Sequence, residues 1–304
     1  MSKLIKETSK IYIKAKKAYR SKKNVQKFLQ RKFKLNTSEI TNISYNLQTG
    51  SYIKYFKKLS EIQKKKIYDP FFKCVNKYFP QRKEVLDFGC GELTSSQYFY
   101  KNINNIKKFF ANDISLNRIL VGKKFLKKKL KKRDFLKFNI FCSSHTELPF
   151  LDNSIDLIIT NHVLEPNEKY KTEILRELFR VSRLGLCLIE PHFEISTKKQ
   201  QLRMKKYGYV TNLEKEIKKL NCNYFIVKKQ HHMNKDNISS IFVIKKKKIK
   251  KKRPSFYVDH FTKKKLIKKI NHLYSKENFR LYPCISSIPI FSDNSQFFLP
   301  NADF

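Results

Sequence analysis

Two of the chain's six glycines lie in one short motif, residues 87–92 (DFGCGE). A glycine there lets the backbone turn sharply and lie directly against a ligand, because no Cβ stands in the way. A dinucleotide-binding motif would continue as GxGxxG, but its third glycine position is Thr94 in this chain. The motif therefore favours a cofactor that has no pyrophosphate.

Acidic residues gather at the ends of the predicted strands, although the chain has only 25 of them. Asp113 follows Gly91 by 22 residues, a spacing at which a carboxylate after the second strand can accept both hydroxyls of an adenosyl ribose. The others are Asp87, Glu92, Glu165 and Glu190. A local acidic pocket in a basic chain would suit a cationic cofactor such as a sulfonium. Each acid alone could be a cap or a solvated loop residue, so the hypothesis rests on their joint placement.

Three side chains beyond the predicted strand ends could take up a proton. His162 and Glu165 follow the fourth predicted strand, and His192 follows the fifth. Histidine titrates near neutrality, which suits general-base catalysis on a hydroxyl acceptor, whereas a nitrogen acceptor with a free lone pair needs little base. Each histidine could instead serve in capping or packing.

These residues depend on strand-like and helical patterns that alternate from residue 84 onward. The predicted strands are 84–88, 109–111, 138–142, 154–160, 184–190, 223–227 and 240–244. The predicted helices are 52–80, 93–100, 115–132, 171–182 and 213–220. Such alternation predicts βαβ units in a mostly parallel sheet, with ligands beyond the carboxyl ends of its strands.

The ordered motifs resemble those of class I S-adenosylmethionine (SAM)-dependent methyltransferases. Residues 84–92 (EVLDFGCGE) are similar to the first motif of that family, and residues 109–115 (FFANDIS) to the second. Residues 146–166 (TELPFLDNSIDLIITNHVLEP) and 188–191 (LIEP) are similar to the later strands. Residues 203–217 (RMKKYGYVTNLEKEI) resemble a subgroup often found with bacterial surface-polysaccharide genes. The resemblance covers about residues 60–250.

The resemblance implies an α/β fold, with a Rossmann-like, mostly parallel sheet of seven strands and helices on both faces. It implies SAM as the cofactor, bound by Asp87, Phe88, Gly89, Cys90, Gly91, Asp113, Ile114, Ser144, His145 and Asn161. The candidate catalytic residues remain His162, Glu165 and His192. The sequence departs from the family pattern at three positions. Leu93 replaces a third glycine, Ser144 an acid that contacts adenine, and Pro166 a histidine.

Three domains are expected. Residues 51–250 would form the methyltransferase domain, between a basic N-terminal helical arm (1–50) and a small β-hairpin module (251–304). Residues 279–290 (FRLYPCISSIPI) resemble small zinc-ribbon-like modules that activate or dock on methyltransferases. The paired cysteines of those modules are absent here, so no zinc or other metal is expected. The alternative is a β-hairpin that covers a sheet edge.

The chain is strongly basic, with 67 Lys and Arg against 25 Asp and Glu, a net charge of +42. Basic runs occupy residues 1–36, 123–133 and 245–253. Such runs favour an anionic partner, which could be RNA, an anionic membrane or a polyanionic glycan. Only 11 of the 67 are Arg, the residue that phosphate clamps and base readers prefer, so a compositional bias is the alternative.

Several classes of protein are disfavoured. No apolar run approaches the ~20 residues that span a bilayer, and we see no signal-peptide-like segment. The six cysteines are scattered without a CxxC motif, which excludes a thioredoxin-type site and favours a reduced, cytoplasmic compartment. Peripheral association with a membrane and homo-oligomerisation stay open.

The leading hypothesis is a SAM-dependent methyltransferase that acts on a small or glycan-linked acceptor by O-methylation. One alternative is an RNA or other nucleic-acid methyltransferase, which the basic runs favour. The other is a non-catalytic protein that binds SAM or serves as a scaffold.

Overall fold

The computed structural model of the chain describes residues 3–144, 146–230, 238–291 and 297–298. Its helices are α1 (Lys3–Arg20), α2 (Val25–Lys32), α3 (Thr37–Leu47), α4 (Ser51–Lys58), α5 (Glu61–Tyr78), α6 (Thr94–Asn102), α7 (Leu116–Lys129), α8 (Lys132–Phe135), α9 (Lys171–Val181), α10 (Lys198–Tyr207) and α11 (Leu213–Lys218). Its strands are β1 (Glu84–Phe88), β2 (Lys108–Asp113), β3 (Phe138–Ser143), β4 (Ile155–Asn161), β5 (Ser182–Pro191), β6 (Cys222–Gln230), β7 (Ser239–Lys246), β8 (Ile267–Lys268), β9 (His272–Tyr274), β10 (Arg280–Ile285), β11 (Ile288–Phe291) and β12 (Phe297–Phe298).

The central sheet has the strand order β6-β7-β5-β4-β1-β2-β3. β1 pairs in parallel with both β2 and β4, whereas β7 is antiparallel to β5 and β6. The chain leaves β1 in one direction and returns to the other side of it with β4, so the strand order reverses beside β1. In such sheets the crevice at the reversal is the usual ligand site, and the structure brings together there the segments that follow β1, β2 and β4.

The central strands are buried on both faces, and their side chains alternate between two apolar cores. Val85 of β1 packs with residues of α5, α6 and α7, whereas Leu86 packs with residues of α9 and α11. This alternation is the two-residue period of a strand, and strands buried on both faces read as nearly continuous apolar runs. The predicted α/β fold with helices on both faces is therefore confirmed.

The predicted strands from residue 84 to 244 all form, within a few residues of the expected bounds. The single helix predicted over residues 52–80 is instead two helices, α4 and α5. The reason is Ser60, whose side chain accepts a hydrogen bond from the amide of Gln63 and begins α5 with a capping box. The chain turns at this point and places α4 beside the ligand crevice.

The C-terminal strands extend the central sheet, so a count of seven strands is too low. β11 pairs in parallel with β3 through Ile290 and Cys142, and β10, β9 and β8 continue antiparallel from it. Buried Asp259 accepts hydrogen bonds from the hydroxyl of Tyr282 at 2.7 Å and from the amide of Thr262 at 2.8 Å. The last strands therefore cover the β3 edge of the sheet, which the sequence had offered as the alternative to a ribbon-like module.

The N-terminal helices pack against one another. Ala15 of α1, Leu29 of α2 and Ile43 of α3 share a small apolar core of their own. The side chain of Asn46 at the end of α3 accepts a hydrogen bond from the hydroxyl of Ser115, which begins α7. Among the helices of the described ranges, none is both long and apolar enough to cross a membrane.

The close approach of β5 and β7 at Gly185 yields a stability prediction. A Cβ on Gly185 would lie 2.0 Å from the carbonyl oxygen of Ile244, and its φ is +146°. We expect Gly185→Ala to lower the free energy of unfolding by ~2 kcal/mol or more, measured by urea denaturation followed by circular dichroism. Gly208→Ala is the control, because Gly208 has open space around it and should cost only about 1 kcal/mol. Equal losses in the two variants would contradict the close approach.

Candidate functional site

A cavity of about 570 Å³ opens at the carboxyl ends of β1, β2 and β4. One side is formed by the glycine turn after β1 and by Asp113, and the other by α3 and α4 with the aromatic rings of Tyr45, Tyr52 and Tyr55. Its volume falls in the range of small-molecule sites, roughly 300–1,000 Å³. Helices α3 and α4 are thus part of the site, which the sequence patterns did not indicate.

The glycine turn is joined to the end of β2 by hydrogen bonds. Gly89 and Gly91 have φ values of +72° and +55°, where a side chain would be strained. The amide of Gly91 donates to Oδ2 of Asp113 at 2.9 Å, and the amide of Cys90 donates to the carbonyl of Asn112 at 2.8 Å. Oδ1 of Asp113 accepts from the amide of Ser115 at 2.9 Å. The carboxylate that was predicted to hold a ribose therefore also fixes the turn beside it.

Asp87 lies beneath the glycine turn and does not line the cavity. It is buried, and its Oδ2 accepts a 2.5 Å hydrogen bond from the hydroxyl of Ser96 on α6. Burial raises the pKa of Asp87 to about 7. Its visible role is to join the end of β1 to α6 rather than to face a ligand.

Glu190 holds the turn after β4. It is completely buried, and its two carboxylate oxygens accept hydrogen bonds from the amides of Val163, Leu164 and Glu165 and from the hydroxyl of Thr160. Burial raises the pKa of Glu190 to about 7. This carboxylate sets the direction of the chain that carries His162 and Glu165.

His162 and Glu165 form a close pair on the cavity wall. Nδ1 of His162 is 2.6 Å from Oε2 of Glu165, and Nε2 is 3.1 Å from the hydroxyl of Ser239. Burial opposes the charged imidazole, but the adjacent Glu165 carboxylate raises the pKa of His162 above its usual value. The Glu165 carboxylate thereby favours the charged form of the His162 imidazole.

Glu92 serves a structural purpose that its place in the motif did not reveal. Its oxygens accept from the amides of Gly50 at 2.9 Å and Ile53 at 2.8 Å, at the start of α4. A carboxylate at a helix N-terminus satisfies amides that have no partner within the helix. The contact fastens α4 to the glycine turn across the cavity.

The expected acidic pocket also contains a cation, Arg118 of α7, which the sequence analysis missed. Its guanidinium lies between the rings of Tyr45 and Tyr52, at 4.9 and 4.4 Å from their centroids. The predicted acidic pocket is therefore wrong as stated, because the cavity holds a cation as well as carboxylates. No sequence signal separated this residue from the other basic residues, because its burial arises from helices distant in sequence.

The structure brings most of the predicted site residues to the cavity. Its walls include Phe88, Gly89, Cys90, Gly91, Asp113, Ile114, Asn161, His162 and Glu165. Ser144 does not line the described part of the cavity. Its neighbour Ser143 does, and the hydroxyl of Ser143 accepts from the side-chain amide of Asn112 at 2.9 Å. His145 lies outside the described residues.

His192 is placed away from this cavity. It is 1% exposed, and its Nδ1 is 2.9 Å from the hydroxyl of Ser240. Burial lowers the pKa of His192. Strand β5 ends at Pro191, and the ring of His192 packs against Phe242 of β7 with their centroids 5.1 Å apart.

Asp87 yields a prediction on pH and stability. The pKa of Asp87 is about 7 in the folded chain, against an ordinary value of 3.8. Between these two pH values, the folded state holds a proton that the unfolded state releases. The contribution of Asp87 to the free energy of unfolding therefore falls as the pH rises through this range. We expect Asp87→Asn to gain stability relative to the wild type between about pH 4.5 and 7.5, by up to about 4 kcal/mol in urea denaturation.

A control for that experiment is Asp156→Asn. Its carboxylate accepts from the amide of Lys83 and from Arg183, which hold the pKa of Asp156 below its usual value despite burial. Asp156 therefore stabilises the folded chain above its unfolded pKa, and the variant should lose relative stability as the pH rises through about 4. A stability difference for Asp87→Asn that does not vary with pH would contradict the account.

Comparison with known proteins agrees with this geometry. The family described as "Methyltransferase domain" matches residues 86–189. These residues include the glycine turn, Asp113 and the His162–Glu165 pair. Among curated proteins, none matches the chain.

Solved structures resemble the fold. The crystal structure of the [4+2]-cyclase SpnF has a TM-score of 0.52 and 13% identity, covering 69% of this chain and 97% of that chain. A magnesium protoporphyrin IX methyltransferase from Synechocystis PCC 6803, with bound SAH, has a TM-score of 0.49 and 13% identity over 68% and 99% of the two chains. A SAM-dependent methyltransferase from Aquifex aeolicus has a TM-score of 0.47 and 17% identity over 63% and 97%. At 13% identity, the likeness to SpnF concerns the fold alone.

The family match and the cavity agree on the same residues. The glycine turn leaves its backbone open to the cavity, and the Asp113 carboxylate beside it suits the hydroxyls of a nucleoside. Residues 86–189 are therefore a methyltransferase domain whose cofactor is S-adenosylmethionine.

Proposed function

We propose that the chain transfers a methyl group from SAM to a hydroxyl of a small or glycan-linked acceptor. The observation that carries this proposal is the His162–Glu165 pair, 2.6 Å apart, on the wall of the cavity that the glycine turn also lines. When bound, SAM supplies an electrophilic methyl group on a sulfonium. The residues of the chain must align the acceptor with it, exclude water and take up the hydroxyl proton.

The cofactor side of the cavity is assigned to Gly89, Gly91, Asp113, Ile114 and Ser143. Each oxygen of Asp113 accepts one backbone amide, and a carboxylate oxygen has a second lone pair. Asp113 can therefore accept two ribose hydroxyls without releasing the turn. Phe88, Cys90 and Asn161, which were also predicted, line the same cavity.

The proton-accepting role is assigned to Glu165, with His162 as a positioning residue. Both ring nitrogens of His162 have partners, Glu165 and Ser239. The Glu165 carboxylate lines the cavity. His192 is not given this role, because it is buried outside the cavity.

Two features of residues 203–217 support a glycan-linked acceptor. One is their resemblance to the subgroup found with bacterial surface-polysaccharide genes, and the other is the aromatic surface in this segment. The rings of Tyr207 and Tyr209 are stacked with their centroids 5.7 Å apart. The amide of Val210, the next residue, donates to the carbonyl of Glu165 at 2.9 Å, so this surface lies near the cavity wall. A flat aromatic surface there could support a sugar ring of a larger acceptor.

The same surface favours a second candidate, an RNA methyltransferase. Lys27 Nζ lies 4.7 Å from the Tyr207 ring centroid, and the Arg203 guanidinium lies 5.2 Å from it. Proteins that bind single-stranded nucleic acid commonly place aromatic rings among cations, because the bases stack on the rings and the phosphates pair with the cations. Transfer of labelled methyl from SAM to RNA, to purified glycans and to small hydroxylated compounds separates the candidates. If SAM binds but no acceptor is methylated, the non-catalytic alternative stands.

Asp113→Ala tests the cofactor side. We expect it to weaken SAM binding by about 10- to 100-fold in calorimetry, because charge-assisted hydrogen bonds to the ligand are lost. Asp134→Ala is the control, since Asp134 contacts Tyr100 on the surface away from the cavity. SAM affinity in Asp113→Ala equal to that of the wild type would show that another group holds the ribose.

Glu165→Gln tests the proton acceptor. We expect the rate of methyl transfer to a hydroxyl acceptor to fall by about 10²- to 10⁴-fold, with SAM affinity changed by no more than about twofold. His192→Gln is the control and should keep the wild-type rate. The assignment fails if Glu165→Gln remains fully active or if His192→Gln is the variant that loses activity.

A further inference from the structure

Arg118 is a buried cation on the wall of the proposed catalytic cavity. It extends from α7, is 6% exposed, and lines the cavity together with the rings of Tyr45 and Tyr52 that enclose its guanidinium. The two tyrosines come from α3 and α4, which Glu92 and Asn46 fasten to the rest of the site. The position of this guanidinium is therefore set by three helices.

The guanidinium shares its anionic partner with the backbone. Nε lies 3.9 Å from Oε1 of Glu92, and both oxygens of Glu92 already accept backbone amides. Among the described residues, Nε of Arg118 is buried without a hydrogen-bond partner. A buried charge with unfilled donors is costly unless a ligand supplies oxygen atoms. The cavity is where such atoms can enter.

The surroundings place this cation in the same cavity as the two proposed functional carboxylates. Arg118, Asp113 and Glu165 all line this cavity. A group bound to Arg118 would therefore share the cavity with the proposed ribose-binding carboxylate and the proposed proton acceptor.

We propose that Arg118, with Tyr45 and Tyr52, forms an anion-binding subsite that takes a carboxylate of the acceptor. This inference rests on the proposed function and names the class of acceptor: a hydroxylated compound that carries an acid group near the methylated oxygen. The planar fork of a guanidinium matches the two oxygens of a carboxylate. A neutral acceptor would give this buried charge no carboxylate, so the subsite selects acids over their neutral analogues.

The test compares benzoate with benzyl alcohol, a neutral probe of similar shape, on the protein saturated with S-adenosylhomocysteine. We expect the wild type to bind benzoate at least about tenfold more tightly. Arg118→Gln should abolish this preference, and Arg118→Lys, which keeps the charge but loses the fork, should retain part of it. A wild type without the preference, or an Arg118→Gln variant that keeps it, overturns the proposal. Thermal melting of both variants verifies that they fold.

A second comparison excludes the amino-acid end of the cofactor as the source of the carboxylate. S-adenosylhomocysteine carries that carboxylate, and methylthioadenosine lacks it. We expect Arg118→Gln to bind each within about threefold of the wild type. A selective loss for S-adenosylhomocysteine of about tenfold or more would assign the subsite to the cofactor and overturn the acceptor assignment.

The anion subsite and the proposed function can each be wrong while the other holds. If the wild type methylates hydroxyl acceptors but shows no preference for benzoate, the subsite is wrong and the proposed function stands. If it binds S-adenosylhomocysteine and prefers benzoate, yet methylates no hydroxyl, the proposed function is wrong although the anion subsite exists.

Discussion

The site depends on buried carboxylates that accept backbone amides at the carboxyl ends of the strands. Asp113 holds the glycine turn through the amide of Gly91, Glu190 holds the turn after β4 through three consecutive amides, and Glu92 holds the start of α4. Hydrogen bonds from amides to a carboxylate are stronger than those between neutral groups, and a buried carboxylate left without them is costly. Each acid therefore has one conformation of its loop that satisfies it, and together they shape the cavity.

This arrangement explains how a chain with a net charge of +42 maintains a site that suits a nucleoside with a sulfonium. Glu92, Asp113 and Glu165 line the cavity, whereas Asp87 and Glu190, whose pKa burial raises to about 7, lie behind it. Arg118 faces the same cavity with its guanidinium between the rings of Tyr45 and Tyr52. The cavity therefore presents both carboxylates and one enclosed cation to a ligand.

Much of the framework could be predicted from the sequence because it follows local rules. Apolar runs predicted the central strands. The positions just after these strands predicted the site residues Gly89, Gly91, Asp113, His162 and Glu165. What could not be predicted depends on contacts between distant segments. In the sequence, Arg118 is indistinguishable from the other basic residues, because α3 and α4 enclose it only in the folded chain. The roles of Glu92 and Glu190 depend on the backbone amides that donate to them. The pairing of β11 with β3 joins segments far apart in the chain, which no local pattern indicates.

The central claim is that an adenosyl group lies on the glycine turn with its ribose held by the carboxylate that also holds that turn. A crystal structure of the protein with S-adenosylhomocysteine tests it most directly. The account predicts ribose hydroxyls within hydrogen-bond distance of Asp113, roughly 2.5–3.0 Å, with the Asp113–Gly91 contact intact. Density for the nucleoside elsewhere, or a ribose that contacts neither Asp113 nor the turn, would contradict it.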